Sequence, residues 1–314
     1  MALGDRARDA VTRLSRNEIV RRHVVQSTQA REVATRFVPG PDASDAVDVA
    51  ARLRLTNRRV TVRHLDYGPT TAESAAATRD EAVAVLAELS AQGLSEGGWA
   101  EVSLSPAALG AGLRDGDRIA LDHARTICGA AQGAGAGVTL DAADHTSTDG
   151  MFALAEALRP DFPGIGVTVQ AQLHRSEADC ADLVGEGSRV RLMVGESLEP
   201  RSVAWRDDNE AQLAFVRCAR LLVAGRGTPM IATHEPRLLE VVTALADHHE
   251  RQDAVEYQML CGIRDDAQRR LADAGKRVRV LVPFGDQWYG YLARRVAERP
   301  VTAAYFARAL ATGR

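Results

Sequence analysis

Tyr291, Arg294, Arg295 and Glu298 stand at i, i+3, i+4 and i+7 in the stretch FGDQWYGYLARRVAERP, residues 284 to 300. In a helix these positions share one face, which then carries a phenol, two guanidinium groups and a carboxylate. Arginine forks match a carboxylate in shape and charge, and the aromatic run WYGY flanks them. The competing reading is a solvated helix face on which Glu298 bridges Arg294 at i+4. Spacing leaves both open.

A second set of polar residues closes short apolar runs. Asp141 and Asp144 follow VTL, Gln170 and Gln172 follow VTV, Thr233 and His234 follow MIA, and Gln258 lies in EYQML. Arg191 sits inside the apolar run VRLM, where a guanidinium needs either a paired carboxylate or a ligand, because desolvating it alone is costly. An ion pair with Asp141 satisfies it as well as a ligand does. His234 reads equally as an imidazole satisfied by the backbone or as a functional group. Metal binding by His234 with Asp141 or His145 has no ligand spacing behind it, so no metal is expected.

These candidates need a scaffold that brings strand ends together. From about residue 59 the sequence alternates short β-branched runs with helical stretches: VTVRHL, WAEVSL, GVTLDAAD, GVTVQAQL, RVRLMVGE, PMIATHE, VEYQML and RVRVLVPFG. Segments of helical period lie between them, among them 118–134, 148–159, 175–186, 207–225, 236–250 and 265–275. Parallel strands require such crossovers, and eight units predict an α/β fold of the closed (β/α)8 TIM-like type. A doubly wound sheet would place a glycine fingerprint after its first strand, and HLDYGP has none. Residues 1–56, helical in pattern and broken at PGPDAS, are expected to form an N-terminal arm, with the barrel spanning 57–314. Chemistry in such barrels sits at the C-terminal strand ends, where the polar residues above would converge.

Composition bounds the rest. At 314 residues, 46% hydrophobic and 26% charged, the chain has enough apolar material for a large core. A net charge of −3 argues against nucleic-acid partners. The four cysteines show no paired spacing and read as reduced thiols of a cytoplasmic protein. The charged N-terminus lacks the apolar core of a signal peptide, and no run of 18 apolar residues offers a transmembrane segment. Peripheral contact with the inner face of a membrane stays open.

Taken together, VTLDAADHT, VQAQLHR, SRVRLMVGESLEP, MIATHEPRL, EYQMLCGIRDDAQRRL and RVRVLVPFGDQWYGYLARRVAERP resemble the proline dehydrogenase family in its single-activity bacterial form, in matching order over residues 16 to 312. The resemblance implies a distorted barrel with FAD held non-covalently at the strand ends. It implies oxidation of a cyclic amino acid by hydride transfer to flavin N5, with electrons passing on to quinone or oxygen. By motif match, the family's strand-end aspartate falls on Asp141, its flavin-contacting arginine on Arg191 and its isoalloxazine glutamine on Gln170. Ala142, Val194, Gly195, Glu196, Thr233 and His234 fall beside the cofactor. The family's carboxylate-holding arginines fall on Arg294 and Arg295, Tyr291 matches the tyrosine lining that pocket, and Glu298 matches the acid closing the helix face.

Departures from the family concentrate at the same site. Set against the family's lysine-leucine-serine, SPA in EVSLSPAALG puts Ser105 at the active-site lysine. VGES, Val194 to Ser197, replaces lysine-glycine-alanine-tyrosine; Leu281 replaces a tyrosine on the last strand; and Ala143 replaces an acid. Three readings follow. The first is an FAD-dependent dehydrogenase or oxidase acting on an amino-acid C–N or related bond, with a carboxylate-bearing substrate other than or besides proline. The second is a genuine proline dehydrogenase yielding 1-pyrroline-5-carboxylate, and the third a non-catalytic binding relative.

Overall fold

In the computed structural model, residues 18–65, 68–195, 199–298 and 308 are described. Three helices come first: α1 (Glu18–Gln26), α2 (Thr28–Ala34) and α3 (Ala43–Arg54). Eight strands then alternate with helices: β1 (Arg58–His64), α4 (Ala72–Ala91), β2 (Ala100–Leu104), α5 (Gly116–Ala134), β3 (Gly137–Leu140), α6 (Thr148–Leu158), β4 (Gly166–Gln170) and α7 (Ser176–Asp182). The second half continues with β5 (Arg189–Met193), α8 (Asp208–Ala224), β6 (Thr228–Ala232), α9 (Pro236–His248), β7 (Glu256–Leu260), α10 (Asp265–Asp273), β8 (Arg277–Phe284) and α11 (Trp288–Glu298). The strands pair in chain order, all parallel, and β8 closes on β1 through Val60 opposite Val280. The eight-stranded barrel expected from the sequence is the fold.

Local chemistry sets the helix ends that matter for the mouth. Thr71 and Ser74 form a capping box at the start of α4, Asp207 accepts the backbone N–H groups of Asn209 and Glu210 at the start of α8, and Pro236 opens α9. Each satisfies or removes donors that a helix N-terminus would otherwise leave orphaned.

The strands alternate rather than reading as continuous apolar runs, because the two faces meet different surroundings. Outward residues such as Val190, Leu192, Val280 and Val282 are buried against the helical shell. Inward positions are polar, and they bond across the lumen. Glu101 on β2 accepts from Thr61 (3.0 Å), Arg189 (2.5 Å) and Arg191 (2.6 Å), while Glu256 on β7 accepts from Arg279 (2.7 Å) and Gln258 (2.8 Å). Arg279 also donates to the carbonyls of Val60, Gly98 and Trp99, tying β8 to β1 and to the start of β2 at the barrel floor. Burial alone would raise the Glu101 carboxyl, but Arg279, Arg189 and Arg191 overcome it and hold the group down at about 2. Its contribution to stability is therefore complete above the ordinary carboxylate range and is lost as pH falls towards about 2.

The N-terminal segment docks at the mouth. Phe37 and Val38 pack with Leu65, Ile263 and Tyr291 in a small cluster separate from the main core. Gly262 (φ +75°) permits this approach, since a Cβ there would lie 2.4 Å from the Arg36 carbonyl oxygen.

Glu101→Gln should cost about 3–5 kcal/mol, the usual penalty for breaking a buried charge network by removing one partner. Removing the exposed partner of Asp265 with Arg269→Ala should cost no more than about 0.5 kcal/mol. Urea unfolding of the two variants beside the parent chain measures the difference.

Candidate active site

Asp141 follows the last residue of β3 and is buried, with its backbone N–H bonded to the Leu104 carbonyl. Four side chains from four strands converge on its carboxylate. Oδ1 accepts from Thr168 and, at 2.9 Å, from Arg191 Nη1; Oδ2 accepts from Ser103 and, at 3.3 Å, from Arg63 Nη1. Burial would raise this group, but Arg191, Arg63, Ser103 and Thr168 outweigh it and keep the carboxyl below its ordinary value. Asp141 is an anion with every lone-pair direction engaged.

Arg191 takes the ion pair that sequence spacing offered as one of its two readings, and more. Its Nε–H donates to Gln258 (2.6 Å), Nη1 to Ser103 and Asp141, and Nη2 to Glu101. Burial disfavours its charge, but Asp141 and Glu101 raise its pKa above the free value, so the guanidinium is permanently cationic.

Above this network a cleft of about 1260 Å3, counting the part open to solvent, occupies the C-terminal ends of β3 to β8. Asp141, Ala142 and Arg191 line one end. Val194, Gly195, Thr233 and His234 line its side, with Leu281 on β8 facing them. Gly195 (φ +131°) has no room for a side chain, because a Cβ would fall 2.3 Å from the Gln172 carboxamide carbon. The His234 ring is half-buried, and its Nε2 accepts the Leu260 N–H at 3.2 Å, so a neutral ring carries its proton on Nδ1. Burial, with Arg264 and Arg295 nearby, lowers its pKa to about 3. Gln170 is placed just behind the wall, donating to the Ala142 carbonyl at 3.3 Å. Glu196 and Ser197 lie outside the described residues.

A second cavity, about 1210 Å3 on the same measure, lies between β1, β2, α4 and α11, and shares Arg63, Ala143 and Arg295 with the first. Helix α11 presents Tyr291, Arg294 and Arg295 to it as the helical spacing predicts. The two arginines are not equivalent: Arg295 is buried, stacked over the Tyr291 ring at 5.1 Å, whereas Arg294 is exposed at the rim. Glu298 belongs to the last turn of α11, where the side chains are outside the described residues.

Ser105 lines the second cavity but ends its turn by accepting the Ala108 N–H at 3.2 Å, and it does not reach Asp141. Ser103 does. Inward positions on β2 fall on Glu101 and Ser103, so Ser103 rather than Ser105 is the β2 side chain that enters the Asp141 network. Period-two counting from Glu101 would have found it. Arg63 escaped sequence reading because nothing in VTVRHL shows that a side chain of β1 reaches past β2 to the end of β3. Among the described residues, no group of three or more His, Cys, Asp or Glu is placed to hold a metal, and no helix is long and apolar enough to cross a membrane.

A parallel barrel with a buried ion-pair network under an open cleft at the C-terminal strand ends is the arrangement of a barrel enzyme acting on a small molecule. The proline dehydrogenase family model matches residues 196–303. Proline dehydrogenase of Deinococcus radiodurans is 36% identical over 217 residues, 68% of this chain and 70% of that one. Proline dehydrogenase 1 of Bacillus subtilis is 29% identical over 273 residues, 87% and 88% of the two chains. Among solved structures, proline utilization A from Bdellovibrio bacteriovorus, inactivated by N-propargylglycine, superposes with a TM-score of 0.78 at 20% identity. That match covers 90% of this chain and 35% of the longer one, and supports the fold. The chain belongs to the proline dehydrogenase family. It is an oxidoreductase acting on the CH–NH group of a proline-like substrate.

Because the folded His234 titrates near 3 and an unfolded imidazole near 6.5, the unfolded chain binds the extra proton between those values. Stability conferred by the neutral ring is complete above about 6.5 and declines as pH is lowered through that window. Thermal midpoints recorded from pH 7 to pH 4 should fall more steeply for the parent chain than for His234→Gln.

Proposed function

We propose that this chain binds FAD in the cleft at the mouth of the barrel and oxidises an amino acid whose carboxylate is held by Arg294 and Arg295. The observation that carries the reading is the adjoining of the two cavities at Arg295, which places a guanidinium on α11 beside a cleft lined by Asp141, Arg191, Thr233 and His234. The cleft fits a flavin in kind. Val194, Leu260 and Leu281 offer apolar walls for a ring, and Thr233 and His234 supply polar side chains. FAD, when bound, supplies the hydride acceptor.

The chain's own residues do the rest. Arg191 holds a fixed positive charge at the cleft wall, anchored by two carboxylates so that it cannot swing away, and such a charge favours electron gain beside it. Asp141, ionised and fully hydrogen-bonded, is unsuited to take a proton at neutral pH; it positions Arg191, Ser103 and Arg63 around the reacting carbon. The amine must therefore arrive unprotonated, or lose its proton to solvent. Gln170, Ala142 and Val194 shape the cleft beside the cofactor, while Ser105 and Leu281 border the substrate. In this reading residues 57–314 form the catalytic barrel and 1–56 an arm on its mouth. The acceptor that reoxidises the flavin is a quinone or oxygen, reached from the cytoplasmic side.

Reconstitution with FAD followed by anaerobic addition of L-proline tests the reading: bleaching of the flavin absorbance is the expected result, and a protein that retains no flavin overturns it. In the reconstituted enzyme Arg295→Ala should raise the KM for a carboxylate-bearing substrate by roughly 10- to 150-fold, the range for one lost charge-assisted hydrogen bond. Arg294→Ala, altering an exposed rim residue, should raise it less. Steady-state kinetics with the two variants measures both.

A further inference from the structure

Arg63 projects from the C-terminal end of β1 into the wall common to both cavities, with 30% of its side chain exposed. Its carboxylate partner is shared. Arg191 already lies closer to Asp141, at 2.9 Å against 3.3 Å for Arg63, and Ser103 engages the same Oδ2 that Arg63 reaches. Arg191 in turn draws on Glu101. Three guanidinium groups, those of Arg63, Arg189 and Arg191, thus share the two carboxylates of Asp141 and Glu101, and Arg63 is the one that stands at the cavities.

The second cavity is bordered by cationic side chains from two elements, β1 and α11. Arg63, Arg294 and Arg295 all line it, and no carboxylate is among the described residues that do. A single amino-acid carboxylate occupies one arginine fork or two. The third guanidinium stands on β1, on the opposite side of the cavity from the helix that carries the pair, so one carboxylate gripped by α11 does not also require it.

Resting on the reading of the mouth as the substrate site, we infer that Arg63 is a specificity-determining residue that selects amino acids bearing a second anionic group, a dicarboxylate being the simplest class. The primary carboxylate sits against Arg294 and Arg295, and the second group meets Arg63. The reaction at the CH–NH carbon is unchanged; what changes is which ring substituent is favoured. Serine at position 103 makes room for that substituent, since a short side chain there leaves the space beside Arg63 to the ligand.

Isothermal titration calorimetry on the full-length protein as purified tests this with three ligands: L-proline, pyrrolidine-2,4-dicarboxylate and its 4-carboxamide, which matches the dicarboxylate in shape but lacks the second charge. The dicarboxylate should bind about tenfold or more tightly than the carboxamide. That ratio should collapse towards one in Arg63→Gln and persist in Arg63→Lys. Equal affinity of the parent protein for dicarboxylate and carboxamide overturns the inference, as does a ratio that survives Arg63→Gln. If Arg63→Gln fails to fold, the parent ratio together with Arg63→Lys decides the matter. Flavin reduction by L-proline is scored separately: its failure sinks the wider reading, while the calorimetric ratio still judges Arg63.

Discussion

The pairing of Arg191 with Glu101 below and Asp141 above is the constraint on which the site depends. A guanidinium inside a parallel barrel is tolerable only with its charge compensated and its donors spent, and here two carboxylates from neighbouring strands do both. The consequence runs upward. Asp141 is fixed as an anion, Ser103 and Thr168 are oriented towards it, and the floor of the cleft becomes a rigid polar surface. Arrangements of this kind precede catalysis, because dipoles already in place do not have to reorganise when charge moves.

The same pairing explains why the strands look unlike those of most buried parallel sheets, which read as continuous apolar runs. Valine and leucine face the helices, and arginine, glutamate, glutamine and threonine face the lumen. The alternation was visible in RVRLM and EYQML. It made the strand assignments easy and the interior hard, since an alternating strand normally has one face in water, and here both faces are inside.

The order of elements was legible because each of the eight strands is a β-branched run and each crossover a helical one, local properties that survive without knowledge of the partners. The face shared by Tyr291, Arg294 and Arg295 was legible for the same reason: helical spacing is short-range. What resisted reading depends on distance across the barrel. Arg63 and Asp141 are 78 residues apart, and Arg191 and Glu101 are 90 apart. No periodicity within a strand announces which residue a neighbouring strand offers. Ser103, which bonds Asp141, was not singled out by its motif, whereas strand alternation counted from Glu101 places it inward. The unequal burial of Arg294 and Arg295 likewise follows from how α11 sits on the N-terminal segment, which its own sequence does not state.

The bonds from Arg279 to the carbonyls of Val60, Gly98 and Trp99 work as a keystone at the end of the barrel away from the cleft. Held by Glu256 on its own side, that guanidinium stitches the first, second, seventh and eighth strands. Glu256 also accepts from Gln258, which in turn accepts from Arg191, so one chain of hydrogen bonds runs from the closing seam to the rim. The clasp that shuts the cylinder thereby also steadies the vessel's lip.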